Sequence, residues 1–265
     1  MIPTFVISLP DCDDRRNVIA DQLGRLGIAF EFVDAVDGRD GLDPVYESQI
    51  DRVGARRGGL YPMSDVEFAC ALSHVKCYNR IVADNVRHAL ILEDDVILDP
   101  DLGQFLAGKH YTDAAVTQLY IRRPYVRRGG GGAKPLFAGY VSYIRAPRIE
   151  RAGAAAYVMS LDAARHFAEH VTPISRAADW PACAEDLIAR RDWRIVHPPL
   201  VAHPPQEGQS LINACGRLEA EKDGKFLEGY HRRKLLKTYG SLLRKILYRR
   251  LPNHNNRAYS DNSSR

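Results

Sequence analysis

The sequence ALILEDDVIL, residues 89–98, joins a short apolar run, three consecutive carboxylates and a second apolar run. An apolar run of this length is typical of a buried strand in an α/β sheet. Carboxylates after such a strand are costly to bury unless they are paired or hold a cation. Open α/β sheets bind ligands at the carboxyl ends of their strands. We therefore expect Glu93, Asp94 and Asp95 to lie where a divalent metal and an anionic ligand meet.

The acidic cluster has two interpretations. All-oxygen ligands favour Mg²⁺ or Mn²⁺ over Zn²⁺, so the cluster fits a site for either of those cations. The same three residues also fit a solvated turn that holds no metal. They do not fit an EF-hand loop, because no glycine follows at the required offset.

Composition is that of a globular protein. The 265 residues can bury a sizeable core, and 37 basic against 33 acidic residues leave a net charge of +4, too small to indicate a nucleic-acid partner. No apolar run reaches the length of a membrane span, and residues 2–9 are interpreted as a first strand rather than a signal peptide. Five scattered cysteines without a CxxC motif fit reduced thiols in a cytosolic protein.

The first residues predict a strand, a helix and a second strand. The strands lie at Phe5–Leu9 and Phe30–Val33, and Gly27 ends the helix between them. This order predicts an α/β fold with a mostly parallel central sheet flanked by helices. The candidates for the N-cap of the helix are Asp11, Asp13 and Asp14.

Further elements follow along the chain. Ser64 and Glu67 have the spacing of a capping box and predict a helix that runs to about Ala83. Residues 122–151 are rich in Arg, Gly and Pro, and they predict a mobile surface loop. Strands are expected at residues 153–160 and 193–196.

Together these pieces resemble glycosyltransferase family 25, the enzymes of lipooligosaccharide and lipopolysaccharide biosynthesis. The resemblance covers about residues 3–215 and rests on the order and spacing of its motifs, although the family has Gly where Phe68–Ala69 stand. The motifs are Phe5–Leu9 with Arg15 and Arg16, Phe32–Gly38, Cys70–His74, Ala89–Leu98, Gly153–Tyr157, Pro198–Val201 and Gln209–Ile212.

The resemblance implies a GT-A-like, nucleotide-sugar-binding domain over residues 1–230. It also implies that a hexose, most often galactose, passes with inversion from a UDP-hexose donor to a saccharide acceptor. Mn²⁺ or Mg²⁺ would bridge the donor diphosphate, whose negative charge grows as the glycosidic bond breaks. Asp95 is the first choice as metal ligand and Glu93 the second. His203 is a third ligand or a buried, hydrogen-bonded histidine.

Inversion needs a carboxylate base on the face of the sugar opposite the leaving group. The resemblance implies Asp179 for this role. Glu185 and Asp186 are rivals, and each also fits the first turn of a helix. Donor binding is expected of Arg15, Arg16, Asp34, Asp37, Ser73, His74 and Asp94, with a surface role open for each arginine and a packing role for His74.

Residues 231–250 carry eight basic side chains, no acid and an apolar stripe at helical spacing. This pattern predicts a basic amphipathic helix that lies on an anionic membrane or docks on the catalytic domain. Residues 251–265 are polar and predict a disordered tail. A cytoplasmic enzyme, peripheral on the inner face of the membrane, is therefore expected.

Two other functions fit parts of the sequence. A degenerate transferase fold that only binds a saccharide or a nucleotide sugar would keep the acidic cluster but would not need Asp179. An RNA-binding protein would use the Arg/Gly-rich loop and the basic helix. It would also need aromatic stacking platforms, which are not clustered there.

Overall fold

The structure of the chain is a computed structural model. It describes residues 2–58, 62–121, 125–127, 129, 132–145, 153–179, 181, 183–204 and 248–251. Its helices are α1 (Asp13–Arg25), α2 (Arg52–Gly58), α3 (Asp65–Ala83), α4 (Leu102–Ala107), α5 (Leu161–His170) and α6 (Ala184–Ala189), with a 3₁₀ helix at Pro44–Gln49. Its strands are β1 (Thr4–Ser8), β2 (Glu31–Asp34), β3 (His88–Glu93), β4 (Ile97–Leu98), β5 (Val116–Gln118), β6 (Tyr125–Arg127), β7 (Lys134–Pro135), β8 (Val141–Ile144), β9 (Ala156–Ser160), β10 (Trp193–His197), β11 (Val201–Ala202) and β12 (Tyr248–Arg250).

The main sheet has eight strands in the order β2-β1-β3-β9-β5-β10-β8-β7. β1 is parallel to both β2 and β3, and β5 is parallel to β10, whereas β9 and β8 run antiparallel to their neighbours. Only β9 and β8 therefore oppose the common direction of the described strands in this sheet. The predicted α/β fold with a mostly parallel central sheet is confirmed.

The decisive strand β3 is buried on both faces of the sheet. Ala89 and Ile91 join the core beneath α3, α5 and α6, while Leu90 and Leu92 join the opposite core beneath α1 and α4. Alternate side chains of a strand point to opposite faces, so a strand covered on both sides must be apolar throughout. This burial fixes the place where Glu93, Asp94 and Asp95 leave the sheet.

Helix boundaries follow local rules in one case and depart from them in another. The capping box of α3 is present as predicted, since Ser64 accepts from the Glu67 amide and Glu67 accepts from the Ser64 amide. The N-cap of α1 is Cys12, without a side-chain capping bond, so the expectation of an aspartate cap is wrong. Gly27 follows α1 with a φ of +64°, as expected for a residue that ends a helix.

The Arg/Gly-rich segment is not one open loop. β7 and β8 lie within it and extend the main sheet beyond β10, and β6 pairs with β12. A pattern of Gly and Arg conceals these strands because their pairing partners lie far away in the sequence. Residues 122–124, 128, 130–131 and 146–152 of this segment lie outside the described residues.

The predicted basic helix lies mostly outside the described residues, which omit 205–247 and 252–265 and with them Gln209–Ile212. Its last three residues, Tyr248–Arg250, form a strand antiparallel to β6 rather than helix. Leu251, expected in the disordered tail, is buried against Val126 and Ile195. Within the described residues, the structure contains no helix with both the length and the apolar character needed to cross a membrane.

Candidate functional site

Three chain segments meet at the carboxyl end of β3. β1 lies alongside β3 with Ile7 opposite Glu93, so the residues that follow β1 face the acidic cluster. β11 pairs with β4, which places His203 beside Asp95. The site is therefore assembled from residues near 8–16, 93–95 and 203.

Glu93, Asp95 and His203 present one ligand atom each, and these atoms lie within 4.8 Å of one another. His203 Nδ1 is 3.5 Å from Asp95 Oδ1, and its ring packs edge-on against Tyr120 at a centroid distance of 4.6 Å. Asp95 Oδ1 is buried and makes no hydrogen bond to the described residues. A buried carboxylate oxygen without a donor is the feature that a bound cation satisfies, so this donor set fits Mn²⁺ or Mg²⁺.

The three acids of the cluster differ in the direction of their pKa shifts. Burial raises the pKa of Asp95 to about 6, and the neighbouring Glu93 charge adds to the effect. Burial also raises the pKa of Asp94, against the opposing effects of Arg15 and Ser8. For Glu93, burial would raise the pKa, but the hydrogen bond and charge of His74, with the charges of His203 and Arg15, together outweigh it, and the pKa is lowered. Asp95 thus has the least compensated carboxyl group.

Arg15 is the basic residue of the site. Its guanidinium forms ion pairs with Asp94 and, at 3.3 Å, with Asp95, while Ser8 Oγ donates to the other Asp94 oxygen at 2.6 Å. Arg15 Nε and Nη1 are buried and make no hydrogen bond to the described residues. These donors are available to an anionic ligand, whereas the Asp94 carboxylate already has two partners.

Three further charged residues expected to bind the donor, Arg16, Asp34 and Asp37, all form ion pairs. Arg16 donates to the carbonyl oxygens of Ser8 and Leu9 and pairs with Asp34, so it holds the turn after β1. Asp37 pairs with Arg39 at 2.6 Å. Asp34 and Asp37 both remain substantially exposed, at 65% and 47% of their side-chain surface.

Ser73 and His74 are packed inside the protein, which fits the packing role considered for His74, and their contact with the donor stays a prediction. Ser73 Oγ donates to the Ala69 carbonyl at 2.7 Å and accepts from the Val36 amide at 2.8 Å. His74 is 1% exposed and lies 2.8 Å from Tyr157 Oη and 3.2 Å from Glu93 Oε1. Ser73 therefore fixes the segment after β2, and His74 orients Glu93.

Asp179 interacts electrostatically with Cys70, whose sulfur lies 3.9 Å from Glu93 Oε1. Its charge contributes, after burial and the charge of Glu93, to raising the pKa of the Cys70 thiol. It also lines a small cavity with Tyr157 and Trp193. Its charge also acts on Arg145, whose pKa burial lowers to about 9 while the charge of Asp179 opposes that effect.

The rival acids have other surroundings. Both lie in the first turn of α6, which was the alternative considered for them. Glu185 pairs with Arg176 at 3.0 Å, and Asp186 lies 3.6 Å from His166. Asp179 is therefore the better placed of the three acids.

Sequence reasoning assigned no role to four residues that complete the site: Ser8, Cys70, Tyr120 and Tyr157. Ser8 follows from the pairing of β1 with β3, and Tyr157 faces Ile91 across the pairing of β3 with β9. Both Ser8 and Tyr157 lie in the motifs already noted. The sequence therefore contained both residues within recognised motifs, but their place in the site depends on the strand register, which the sequence alone does not give.

Comparison with known proteins finds similarity to one family over part of the chain. The model of glycosyltransferase family 25, described as an LPS biosynthesis protein family, matches residues 1–125. The lacto-N-neotetraose biosynthesis glycosyltransferase LgtE of Neisseria meningitidis serogroup B is 26% identical over 193 residues, which cover 66% of this chain and 64% of that protein. The lipooligosaccharide biosynthesis protein lic2B of Haemophilus influenzae is 25% identical over 178 residues, 64% of each chain.

A shorter match is more similar. The glycosyltransferase LgtB of N. meningitidis serogroup B is 34% identical over 103 residues, which are 38% of this chain and 36% of LgtB. The matches thus span between about a third and two thirds of the relatives' lengths. Residues 1–125 of this chain carry the sequence of glycosyltransferase family 25, as the motifs predicted, and the enzyme class of the family and of these relatives is that of a glycosyltransferase.

Proposed function

We propose that the protein is a metal-dependent, inverting hexosyltransferase that moves a hexose, galactose in the first instance, from a UDP-sugar to a saccharide acceptor of lipopolysaccharide or lipooligosaccharide. The observation that carries this proposal is the convergence of Glu93, Asp95 and His203 within 4.8 Å. It occurs at the carboxyl end of β3, where a GT-A-like sheet would bind its nucleotide sugar.

Different residues of the site would bind the cation and the phosphate oxygens of the donor. Glu93, Asp95 and His203 would hold the divalent cation, which neutralises the charge that grows on the diphosphate when bound. Arg15 supports the same role, because its buried Nε and Nη1 can donate to phosphate oxygens. Asp94 pairs with that guanidinium, and Ser8 donates to the other oxygen of Asp94, so the two residues help to hold Arg15 in place.

Asp179 is the proposed general base. It would accept the proton of the acceptor hydroxyl while that oxygen forms a bond to the anomeric carbon and the bond to UDP breaks. The electron pair of the breaking bond leaves with the diphosphate, so attack from the opposite face inverts the configuration. The electrostatic interaction of Asp179 with Cys70, whose sulfur lies beside Glu93, supports this role.

The proposal is tested by measuring hydrolysis of a panel of UDP-sugars with Mn²⁺ and with EDTA. We expect one UDP-hexose to be hydrolysed in Mn²⁺ only, and His203→Asn to abolish the reaction. His110→Asn is a matched control, since that ring stacks on Phe137 and lies outside the proposed site. Full activity in EDTA would exclude the metal role, and binding without turnover would favour a non-catalytic module.

We also propose that residues 231–247 attach the enzyme to anionic membrane, where a lipid-linked acceptor would lie. Their basic residues include Arg232, Arg233, Lys234 and Lys237. Replacing these four by Gln preserves β12 and should weaken binding to vesicles that contain anionic lipid, without loss of activity on a soluble acceptor. Vesicle binding that is unchanged, or insensitive to salt, would exclude this role.

A further inference from the structure

A second group of ligand atoms lies behind the proposed donor site. Cys70 and His74 are four residues apart and share one face of α3, and both face Glu93. The Cys70 sulfur, a His74 ring nitrogen and a Glu93 oxygen lie within 4.8 Å of one another. Sulfur and nitrogen ligands select a softer cation than the oxygen-rich set of Glu93 and Asp95.

The distances fit tetrahedral zinc. Zinc bonds of about 2.0–2.3 Å place neighbouring ligand atoms of a tetrahedron about 3.4 Å apart for nitrogen and oxygen, and about 3.6 Å for sulfur and oxygen. His74 Nε2 is 3.2 Å from Glu93 Oε1, and Cys70 Sγ is 3.9 Å from the same oxygen. Small movements of the side chains therefore suffice to bind the ion.

The histidine is already oriented for this role. His74 Nδ1 is 2.8 Å from Tyr157 Oη, which leaves Nε2 directed at Glu93. Tyr157 in turn donates to Tyr78 Oη at 3.3 Å, within the core. A hydrogen bond to the second ring nitrogen is the usual support of a metal-binding histidine.

We propose that Cys70, His74 and Glu93 form a Zn²⁺ site that inhibits the enzyme. On binding, the Cys70 thiol releases its proton to solvent and its sulfur bonds to the ion. Glu93 is shared, so zinc removes one ligand from the Glu93–Asp95–His203 set and places positive charge beside it. The inhibition rests on the proposed function, whereas the binding does not.

Binding is tested with Co²⁺ as a spectroscopic substitute for zinc, added to the reduced, metal-free, full-length protein. We expect a thiolate-to-cobalt charge-transfer band in the wild type and in the control Cys12→Ser, and no band in Cys70→Ser. Tyr157→Phe should weaken Co²⁺ binding about 10–100-fold, with folding checked by thermal unfolding. No band in the wild type, or a band that persists in Cys70→Ser, would overturn the site.

Inhibition is tested separately by Zn²⁺ titration of UDP-sugar hydrolysis at fixed Mn²⁺. Zinc should inhibit the wild type and Cys12→Ser, and Cys70→Ser should require at least about tenfold more zinc for the same fractional inhibition. Equal sensitivity of Cys70→Ser and the wild type would refute inhibition through this site. If no UDP-sugar is hydrolysed at all, the proposed function fails, and the cobalt band still decides whether the metal site exists.

Discussion

Replacing Asp95 by Asn should stabilise the metal-free protein at neutral pH while removing activity. The folded-state pKa of Asp95 is raised from 3.8 to about 6, chiefly by burial. Because this pKa is higher in the folded state than in the unfolded state, ionisation of Asp95 lowers the stability of the fold. The stabilising contribution of the protonated acid is fully present below pH 3.8 and is lost as the pH rises through 6. A difference of about 2 pKa units corresponds to about 3 kcal/mol of unfolding free energy, and relaxation of the site around the charge reduces this value.

Urea unfolding in EDTA at several pH values measures this effect. At pH 8 we expect the free energy of unfolding of Asp95→Asn to exceed that of the wild type by about 1–3 kcal/mol. Below pH 4 the two proteins should have the same free energy of unfolding. Excess Mn²⁺, at about 100 times its Kd, should then stabilise the wild type by about 2.7 kcal/mol and leave the variant unchanged.

The matched control is Asp21→Asn, which removes an exposed carboxylate that pairs with Arg25 on the surface of α1. It should change stability by less than about 0.5 kcal/mol. An Asp95→Asn protein that is no more stable than the wild type at pH 8 in EDTA would refute the account of the uncompensated carboxylate.

Other variants examine the rest of the site and the fold. Asp179→Asn should reduce the rate of sugar transfer about 10²–10⁴-fold and keep the affinity for UDP-sugar, as measured by calorimetry. A larger loss of transfer rate in the control Glu185→Gln would indicate Glu185 as the base instead. Ser64→Ala should lower the free energy of unfolding by about 1 kcal/mol in urea, and no change would mean that the capping box contributes nothing. Ser8→Ala should lower the free energy of unfolding by about 1–3 kcal/mol, because it leaves a buried Asp94 oxygen without its donor. A variant that unfolds at the same urea concentration as the wild type would contradict this prediction.

The sequence was sufficient for features that depend on local pattern. The apolar residues of β3 had to be buried on both sides, and the Ser64–Glu67 spacing encodes its own helix start. The acidic cluster follows from the end of that strand. These are effects within about ten residues, for which propensity and periodicity carry most of the information.

Features that depend on distant pairing were not predictable in the same way. β8 is held by β10, about fifty residues away, and its Gly- and Arg-rich neighbours give no strand signal. Ser73 has the chemistry of a ligand-binding residue, yet its hydroxyl is used by the Val36 and Ala69 backbones. The place of β8 depends on its pairing with β10, and the role of Ser73 depends on the packing of α3 against the segment after β2.

The insertion of β9 between β3 and β5 has a consequence for biosynthesis. A nascent chain that has emerged only to residue 125, the limit of the family match, carries β3 with one unpaired edge because Ala156–Ser160 is still missing. That edge presents an apolar segment without proline, which is the kind of strand that pairs with other copies. A fragment cut at residue 125 should therefore aggregate, and an expression boundary for this protein must lie beyond His203.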